Sequence, residues 1–304
     1  MLEELTVPDE KLLKKIQKVL KKNKKFLMQF HGVRDVGVGF KFSLNKIKNI
    51  PCIVVFVSKK FKEDELQYEQ KIPSEIDNIL VDVIESNPKR HSLSDPNGLF
   101  DSLKGGISIS NPKVNLAGTM GAIVFDNETN ESMALTNFHV LFAAAGVFRT
   151  IGKSGDQIVQ PALSSSLSQN VVGTLVRGNR NVDAAVFKIS GRGISKGEIN
   201  GFGEILRGTT SALLGMDVKK SGSSTGITYG KITAITNSNI RISKNPSRAV
   251  EGRLSSSGDS GSLWVTDSSE MKAVALHWGG EHDLVDVAHA VPINLITNKL
   301  NIHF

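Results

Sequence analysis

A short turn motif, Gly258-Asp259-Ser260-Gly261, carries the strongest chemical signal in the sequence. It lies between the polar stretch RLSSS and the strand-like stretch SLWV. A serine nucleophile needs an exposed hydroxyl on a tight turn, with backbone N–H groups directed at the developing oxyanion. Glycine permits that backbone, so the motif predicts Ser260 as a nucleophile. The alternative is an ordinary surface Asp-Ser turn whose glycines serve only the turn.

A serine hydroxyl is a weak nucleophile, and a nearby base must take its proton. His139 ends the apolar segment Ala134 to Val140 and precedes a second apolar stretch, LFAAAG, so we expect it to be rigidly held. Imidazole is the side chain best suited to accept a proton and return it near neutral pH. His139 is therefore the predicted general base, although a lone histidine in such a segment is more often a core residue with satisfied hydrogen bonds.

A third residue must fix the imidazole tautomer, and a carboxylate does this best. Asp183 stands at the head of the apolar run AAVF, where burying a charge without a partner would be costly. We predict that Asp183 orients His139. Asp156, in the turn KSGDQ, and Asp217 are weaker candidates, and Asp183 could instead be a salt-bridged or turn-capping residue.

The composition is that of a folded protein with one locally basic segment. The chain has 304 residues, a single cysteine and a net charge of +7. Lys11 to Lys25 contains eight lysines and no acid, so the rest of the chain carries −1, the difference between +7 and +8. The lone cysteine, an N-terminus without a signal-peptide pattern and the absence of a long apolar run predict a cytoplasmic protein with no membrane span. No metal site and no cofactor are predicted.

The chain divides into two predicted domains. Residues 1–95 combine a basic amphipathic helix, 9–25, with short β-branched runs such as VGVGF, which predicts a small α+β domain. The glycines of VGVGF are interpreted as close-packing strand residues. A stretch rich in Ser, Pro, Asn and Gly then predicts a linker, and the remainder of 96–304 alternates short strands with turns.

The order His, Asp, Ser, carried by TNFHV, VDAAV and GDSGS, resembles the chymotrypsin-like (S1) serine proteases. The N-terminal segment followed by these motifs is similar to intracellular bacterial trypsin-like proteases. The resemblance covers roughly Gly105 to Phe304. It implies a mainly β fold of two antiparallel six-stranded barrels, at about 105–205 and 206–290, then a C-terminal helix at about 292–300.

The resemblance also implies site residues beyond the triad. The backbone N–H groups of Gly258 and Ser260 would form the oxyanion hole. The segment LHWGG resembles the family's substrate-binding strand, with His277 where a serine is usual, followed by Trp278 and Gly279. The family's pocket floor falls on Leu254 with Ser255 beside it, and an apolar floor disfavours Lys or Arg at the cleaved position.

The predicted activity is hydrolysis of protein or peptide substrates by a serine endopeptidase through an acyl-enzyme. The alternatives are a catalytically latent binding or sensor module controlled by a partner or polyanion, and an esterase using the same triad. The family's Ile-Val-Gly-Gly activation terminus is missing, so we expect control by a regulatory partner or by self-cleavage between Pro88 and Gly106. Nucleic acid is a less favoured partner for Lys11 to Lys25, because no aromatic residue interleaves the lysines.

Overall fold

The structure is a computed structural model that describes residues 5–43, 46–61, 65–66, 70–86, 98–143, 151–162, 170–248, 252–281 and 286–304. Residues 87–97, in the first part of the predicted linker, therefore lie outside the described residues. The N-terminal elements are α1 (Glu10–Leu27), β1 (Val33–Ser43), β2 (Lys46–Val57), β3 (Glu75–Ile76) and β4 (Ile79–Glu85).

Helix α1 is the lysine-rich helix that the sequence predicts. Asp9 caps it by accepting a hydrogen bond from the Leu12 N–H, which satisfies one of the free donors of the first turn. Ile16 and Leu27 are buried against the strands of the N-terminal sheet, while the lysines face solvent. Leu12, which the sequence places on the apolar face, is 38% exposed, so the packing covers only part of that face.

The central elements build an eight-stranded sheet. In order along that sheet the strands are β20, β8, β9, β12, β11, β10, β6 and β7, while β13 pairs with β5 separately. Among the described residues its end strands β20 and β7 do not pair with each other, so this sheet is a curled half-barrel. Together with the closed barrel of the later strands it matches the predicted double-barrel fold. The elements are β5 (Ser102–Gly105), β6 (Ser108–Asn111), β7 (Leu116–Thr119), β8 (Ala122–Asp126), β9 (Ser132–Thr136), α2 (Phe138–Phe142), β10 (Gln157–Val159), β11 (Val171–Asn179), β12 (Ala184–Ile189), β13 (Gly193–Ile199) and, at the C-terminus, β20 (Ile302–His303).

The later strands close into a barrel. Each of six strands pairs antiparallel with the next in the order β14, β15, β16, β19, β18, β17 and back to β14, which confirms the second predicted barrel. The C-terminal helix, predicted at about 292–300, is α3. The elements are β14 (Asp217–Gly222), β15 (Gly226–Thr236), β16 (Ile240–Lys244), β17 (Leu263–Thr266), β18 (Ala273–Glu281), β19 (Val287–Pro292) and α3 (Ile293–Leu300).

The N-terminal strands and the closed barrel share one continuous sheet. Strand β1 pairs antiparallel with the end of β15, with Gly37 opposite Thr236 and Gly39 opposite Ala234. A Cβ added at Gly37 would lie 2.3 Å from the Ile235 carbonyl oxygen, so only glycine allows this approach. The predicted boundary at residue 95 thus separates two segments whose strands hydrogen-bond to each other.

Replacing Gly37 with Ala is expected to destabilise the protein by about 1–3 kcal/mol, because the new methyl group meets backbone atoms that cannot move aside. Urea unfolding measures the change. Gly98→Ala is the matched control, since a Cβ there meets nothing within 4 Å. Equal stability of the two variants would contradict the close packing of β1 on the barrel.

The only cysteine, Cys52, is fully buried on β2. Burial, together with the charge of Asp82, raises the pKa of the Cys52 thiol to about 12. We therefore expect no reaction with a disulfide thiol reagent at pH 8 in the folded protein and rapid reaction once guanidinium unfolds it. A folded protein that reacts as fast as the unfolded chain would show that the thiol is accessible and ionised.

No helix within the described ranges has the length and apolar character needed to cross a bilayer. Across those same ranges, no group of three or more His, Cys, Asp or Glu side chains is arranged to hold a metal ion.

Candidate active site

His139 and Asp183 form a buried pair beside the eight-stranded sheet. The His139 Nδ1 atom lies 2.7 Å from the Asp183 Oδ2 atom, and the His139 backbone N–H donates to Oδ1 at 3.0 Å. The carboxylate therefore holds both the ring and the backbone of one residue. With Nδ1 directed at a carboxylate, the tautomer with Nδ1–H is favoured, which leaves Nε2 able to accept a proton.

Local backbone structure brings the two side chains together. His139 lies in α2, directly after β9, and not at the end of the strand itself. Asp183 ends a 3₁₀ turn, Arg180–Val182, with a left-handed φ of 42°, a conformation that costs energy in a non-glycine residue. The Asn137 side chain donates to the Asp183 carbonyl oxygen at 2.7 Å and holds this turn. Asn137 is not among the residues that the sequence pattern predicts for the site.

The Ser260 turn follows the glycine pattern of the motif. Gly258 and Gly261 both have φ of 94°, which disfavours other residues. A Cβ at Gly261 would also lie 2.1 Å from the Thr136 Oγ1 atom, at the end of β9. The turn therefore packs directly against the sheet that carries His139.

The Ser260 backbone also meets that sheet. The Thr119 N–H donates to the Ser260 carbonyl oxygen at 2.7 Å. A Cβ at Gly118 would lie 2.5 Å from the Val140 side chain and 3.0 Å from the Ser260 carbonyl oxygen, so α2 and the serine turn converge on this strand. Ser260 and His139 thus belong to different sheets, and both the serine turn and α2 pack against β7.

The Ser260 hydroxyl contacts strand β18 of the closed barrel. It donates to the Trp278 carbonyl oxygen at 3.4 Å, a long hydrogen bond, and Ser260 is only 1% exposed. The sequence motif predicts an exposed hydroxyl, and the structure differs. Here the turn packs beneath Thr119, which explains the burial. The His139 Nε2 atom is also buried and has no hydrogen-bond partner within the described ranges.

The predicted oxyanion hole has a rigid frame. The Gly258 carbonyl oxygen accepts from the Thr119 Oγ1 atom at 2.7 Å and from the Ser223 Oγ atom at 2.8 Å. These two hydroxyls come from the eight-stranded sheet and from the turn between β14 and β15. Among the described residues, the N–H groups of Gly258 and Ser260 donate to no other group. These two N–H groups can therefore donate hydrogen bonds to an oxyanion.

Asp259 is held by a buried lysine, an interaction that the sequence analysis missed. The Lys220 Nζ atom lies 2.8 Å from the Asp259 Oδ2 atom, and neither side chain is exposed. The Thr225 hydroxyl and the backbone N–H groups of Ser224, Thr225 and Ser256 also donate to this carboxylate. Burial alone would raise the pKa of Asp259, but the charge of Lys220 and these contacts lower it to about 2. The carboxylate therefore ties the segment before the nucleophile, at Ser256, to the turn between β14 and β15.

The residues predicted to bind substrate belong to the closed barrel, but some lie on a bulged strand and one lies in the hydrophobic core. His277, Trp278 and Gly279 occupy β18, where a β-bulge falls between His277 and Gly279. Such bulges often redirect side chains beside active sites. Leu254 packs in the hydrophobic core of the barrel, which gives no support to its predicted role at a pocket floor. The Ser255 hydroxyl is buried without a partner among the described residues.

The two rival carboxylates lie elsewhere. Asp156 is held by Lys113 at 2.5 Å and by Asn111 at 3.1 Å. Asp217 accepts from Asn245 at 2.8 Å and pairs with Lys231 at 2.7 Å. Asp183 is thus the carboxylate of the three that contacts His139.

Among known proteins, similarity is found only to solved structures. No protein family matches the sequence. No curated protein matches it either. Among solved structures, protease A of Thermobifida fusca has a TM-score of 0.46 and 19% identity, covering 66% of this chain and 97% of its own. A chymotrypsin of Cellulomonas bogoriensis has a TM-score of 0.46 and 18% identity, covering 67% and 98%. A glutamic-acid-specific serine protease has a TM-score of 0.48 and 18% identity, covering 66% and 99%.

The strand pairing itself defines the class. A closed six-stranded antiparallel barrel joined to a second antiparallel sheet, with His139 and Asp183 on that sheet and Ser260 on the barrel, is a chymotrypsin-like fold. In this chain the fold carries an additional N-terminal helix and strands that extend the barrel sheet.

Proposed function

We propose that this protein is a serine endopeptidase with Ser260 as nucleophile, His139 as general base and Asp183 as the residue that orients it. The observation that carries the proposal is the pair of hydrogen bonds between Asp183 and His139. They leave the Nε2 atom of His139 buried and without a partner among the described residues. A buried imidazole nitrogen without a partner costs stability, and a catalytic role is one reason why a protein keeps such a group.

In the proposed first step, the Ser260 hydroxyl turns from the Trp278 carbonyl oxygen to His139 and attacks the peptide carbonyl carbon. Catalytic hydrogen bonds are often long in free enzymes and tighten when substrate is bound. His139 Nε2 takes the hydroxyl proton, and the negative charge of Asp183 stabilises the resulting imidazolium. The N–H groups of Gly258 and Ser260 stabilise the oxyanion.

Collapse of the tetrahedral intermediate completes acylation. The C–N bond breaks, and His139 returns its proton to the departing amine, leaving an ester between Ser260 and the acyl portion of the substrate. A water molecule then attacks this ester with His139 again accepting a proton. The bond between the acyl carbon and the Ser260 oxygen then breaks, His139 returns its proton to that oxygen, and the acyl group leaves as a carboxylic acid.

Cleavage of an unfolded protein by the wild type and by Ser260→Ala tests the proposal. We expect new peptide termini from the wild type and none from the variant, with mass spectrometry identifying the cleaved bonds. Ser154→Ala is a matched control, because it removes a hydroxyl whose one long hydrogen bond, 3.4 Å, goes to the Leu175 carbonyl oxygen and not to a triad residue. Hydrolysis of activated esters without peptide cleavage would favour the esterase alternative, and no hydrolysis of either would favour the latent binding module.

We further propose that the natural substrate is a protein or peptide and that a regulatory partner or cleavage between residues 88 and 106 controls activity. The first half of that segment lies outside the described residues. Constitutive activity of the intact chain on unrelated proteins would argue against such control.

A further inference from the structure

A chain of hydrogen bonds crosses the barrel from the N-terminal sheet to the nucleophile. The Ser86 hydroxyl donates to the Glu281 Oε1 atom at 2.5 Å, and the His289 Nε2 atom lies 3.0 Å from the same oxygen. On the other side of the ring, His289 Nδ1 lies 2.9 Å from the Asn239 Nδ2 atom. The Asn239 Oδ1 atom accepts from the Trp278 Nε1–H at 3.1 Å. We call these five residues the Ser86 network.

The donors and acceptors of the Ser86 network are mutually consistent. The indole N–H can only donate, so Asn239 presents its oxygen to Trp278 and its amide to His289. His289 then accepts at Nδ1 and donates from Nε2 to Glu281. One tautomer of a neutral imidazole therefore satisfies both neighbours, and the arrangement leaves no conflict along its length.

The charges favour this arrangement. Burial lowers the pKa of His289, which keeps the ring neutral against the opposing influence of Glu281. Burial alone would raise the pKa of Glu281, but the hydrogen bonds from His289 and Ser86 and the charge of Arg241 hold it below its usual value. Arg241 is only 3% exposed and lies opposite His289 on the neighbouring strand. An ionised Glu281 is thus a strong acceptor at the centre of the network.

Both ends of the Ser86 network are anchored. Ser86 directly follows β4, and its backbone N–H donates to the Val57 carbonyl oxygen at 3.0 Å, which ties it to the N-terminal sheet. At the other end, the Trp278 carbonyl oxygen receives the Ser260 hydroxyl. The Trp278 ring also lies 5.6 Å from the His289 ring, measured between centroids. Displacement of Ser86 would therefore change the position of the bulged part of β18.

We propose that Ser86 and Glu281 are positioning residues through which the N-terminal sheet holds the Trp278 bulge of β18 in the form that binds an extended peptide. The inference rests on the proposed endopeptidase function. It assigns the N-terminal strands a direct part in binding the residues of the substrate that pair with this strand. A small ester that occupies only the reacting centre needs no such support.

The first test compares two substrates. Ser86→Ala is expected to lower kcat/KM for a hexapeptide about tenfold, the loss expected for a hydrogen bond to a charged group, mainly through KM. Hydrolysis of p-nitrophenyl acetate should be unchanged. Ser86→Thr keeps the hydroxyl and should restore peptide cleavage, while Ser154→Ala should match the wild type. Equal effects on ester and peptide, or no effect on either, would overturn the proposal.

A double-mutant cycle tests the network as a unit. Ser86 and Asn239 share no direct hydrogen bond, so independent substitutions would have additive effects on kcat/KM. If the network transmits the effect, Asn239→Ala should lower kcat/KM little further in the Ser86→Ala background. The double variant should therefore resemble the worse of the two single variants. Full additivity would contradict transmission through Glu281 and His289.

The second readout does not depend on catalysis. The indole N–H of Trp278 can be followed by NMR, with Trp278→Phe used to assign its signal against that of Trp264. We expect Ser86→Ala to accelerate hydrogen exchange of this N–H, and an unchanged exchange rate would overturn the proposal. A wild-type protein that cleaves no peptide yet shows the faster exchange in the variant would refute the proposed function and leave the network intact.

Discussion

Replacing Asp183 with Asn is expected to lower kcat for peptide cleavage about ten-thousand-fold while leaving KM nearly unchanged. The amide is the same size, so it can keep its place at the end of the 3₁₀ turn. Its NH₂ group, however, favours the wrong imidazole tautomer, and it cannot stabilise the imidazolium. Steady-state kinetics on a peptide substrate measures both parameters.

The control for this prediction is Asp156→Asn. Asp156 is also a buried aspartate in the eight-stranded sheet region, but it is held by Lys113 and Asn111 and does not contact His139. It should affect stability and leave kcat of the folded protein close to that of the wild type. If the two substitutions lower kcat equally, Asp183 has no special part in the reaction.

Replacing Lys220 with Met is expected to destabilise the protein by about 3–5 kcal/mol, because it leaves the buried Asp259 charge without its cation. Misplacing one oxyanion donor typically costs about a hundred- to a thousand-fold in kcat, so activity should fall as well. Urea unfolding and peptide kinetics measure the two effects. Lys22→Met is the matched control, since its partner Asp77 is exposed and such surface pairs contribute at most about 1 kcal/mol.

The effect of Lys220→Met should depend on pH. In the wild type, the lowered pKa of Asp259 means that its contribution to stability is present above the ordinary carboxyl range and is lost only as pH falls toward about 2. In the variant, burial without a cation should raise that pKa, so protonation relieves the buried charge. The stability difference between the two proteins should therefore shrink as pH falls from 7 to 4. A constant difference would contradict the ion-pair explanation.

The sequence was most informative where chemistry depends on local pattern. The GDSG motif, the histidine after an apolar strand and the aspartate before an apolar run are local features. The structure places two of these residues, His139 and Asp183, in contact. The role of Ser260 as the nucleophile stays a prediction. Short strand-like runs between turn residues predicted strands of the closed barrel. Helix signals predicted α1 near the N-terminus and α3 near the C-terminus.

Contacts between distant segments could not be read from local pattern. The Lys220–Asp259 pair joins residues 39 apart, and Ser86 meets Glu281 across 195 residues. The pairing of β1 with β15 is similar: the glycines of VGVGF indicated close packing, but nothing in the sequence named the strand that they approach. The open form of the eight-stranded sheet likewise depends on which edges pair, and alternation along each strand does not determine that.

Labelling with a fluorophosphonate probe tests the central claim most directly. The probe reacts covalently with a serine that its own site has activated, and mass spectrometry locates the adduct. We predict labelling at Ser260 in the wild type, none in Ser260→Ala, and strongly slowed labelling in Asp183→Asn. Absence of labelling in the folded wild-type protein, or an adduct at another residue, would contradict the assignment of Ser260, His139 and Asp183 as a working catalytic triad.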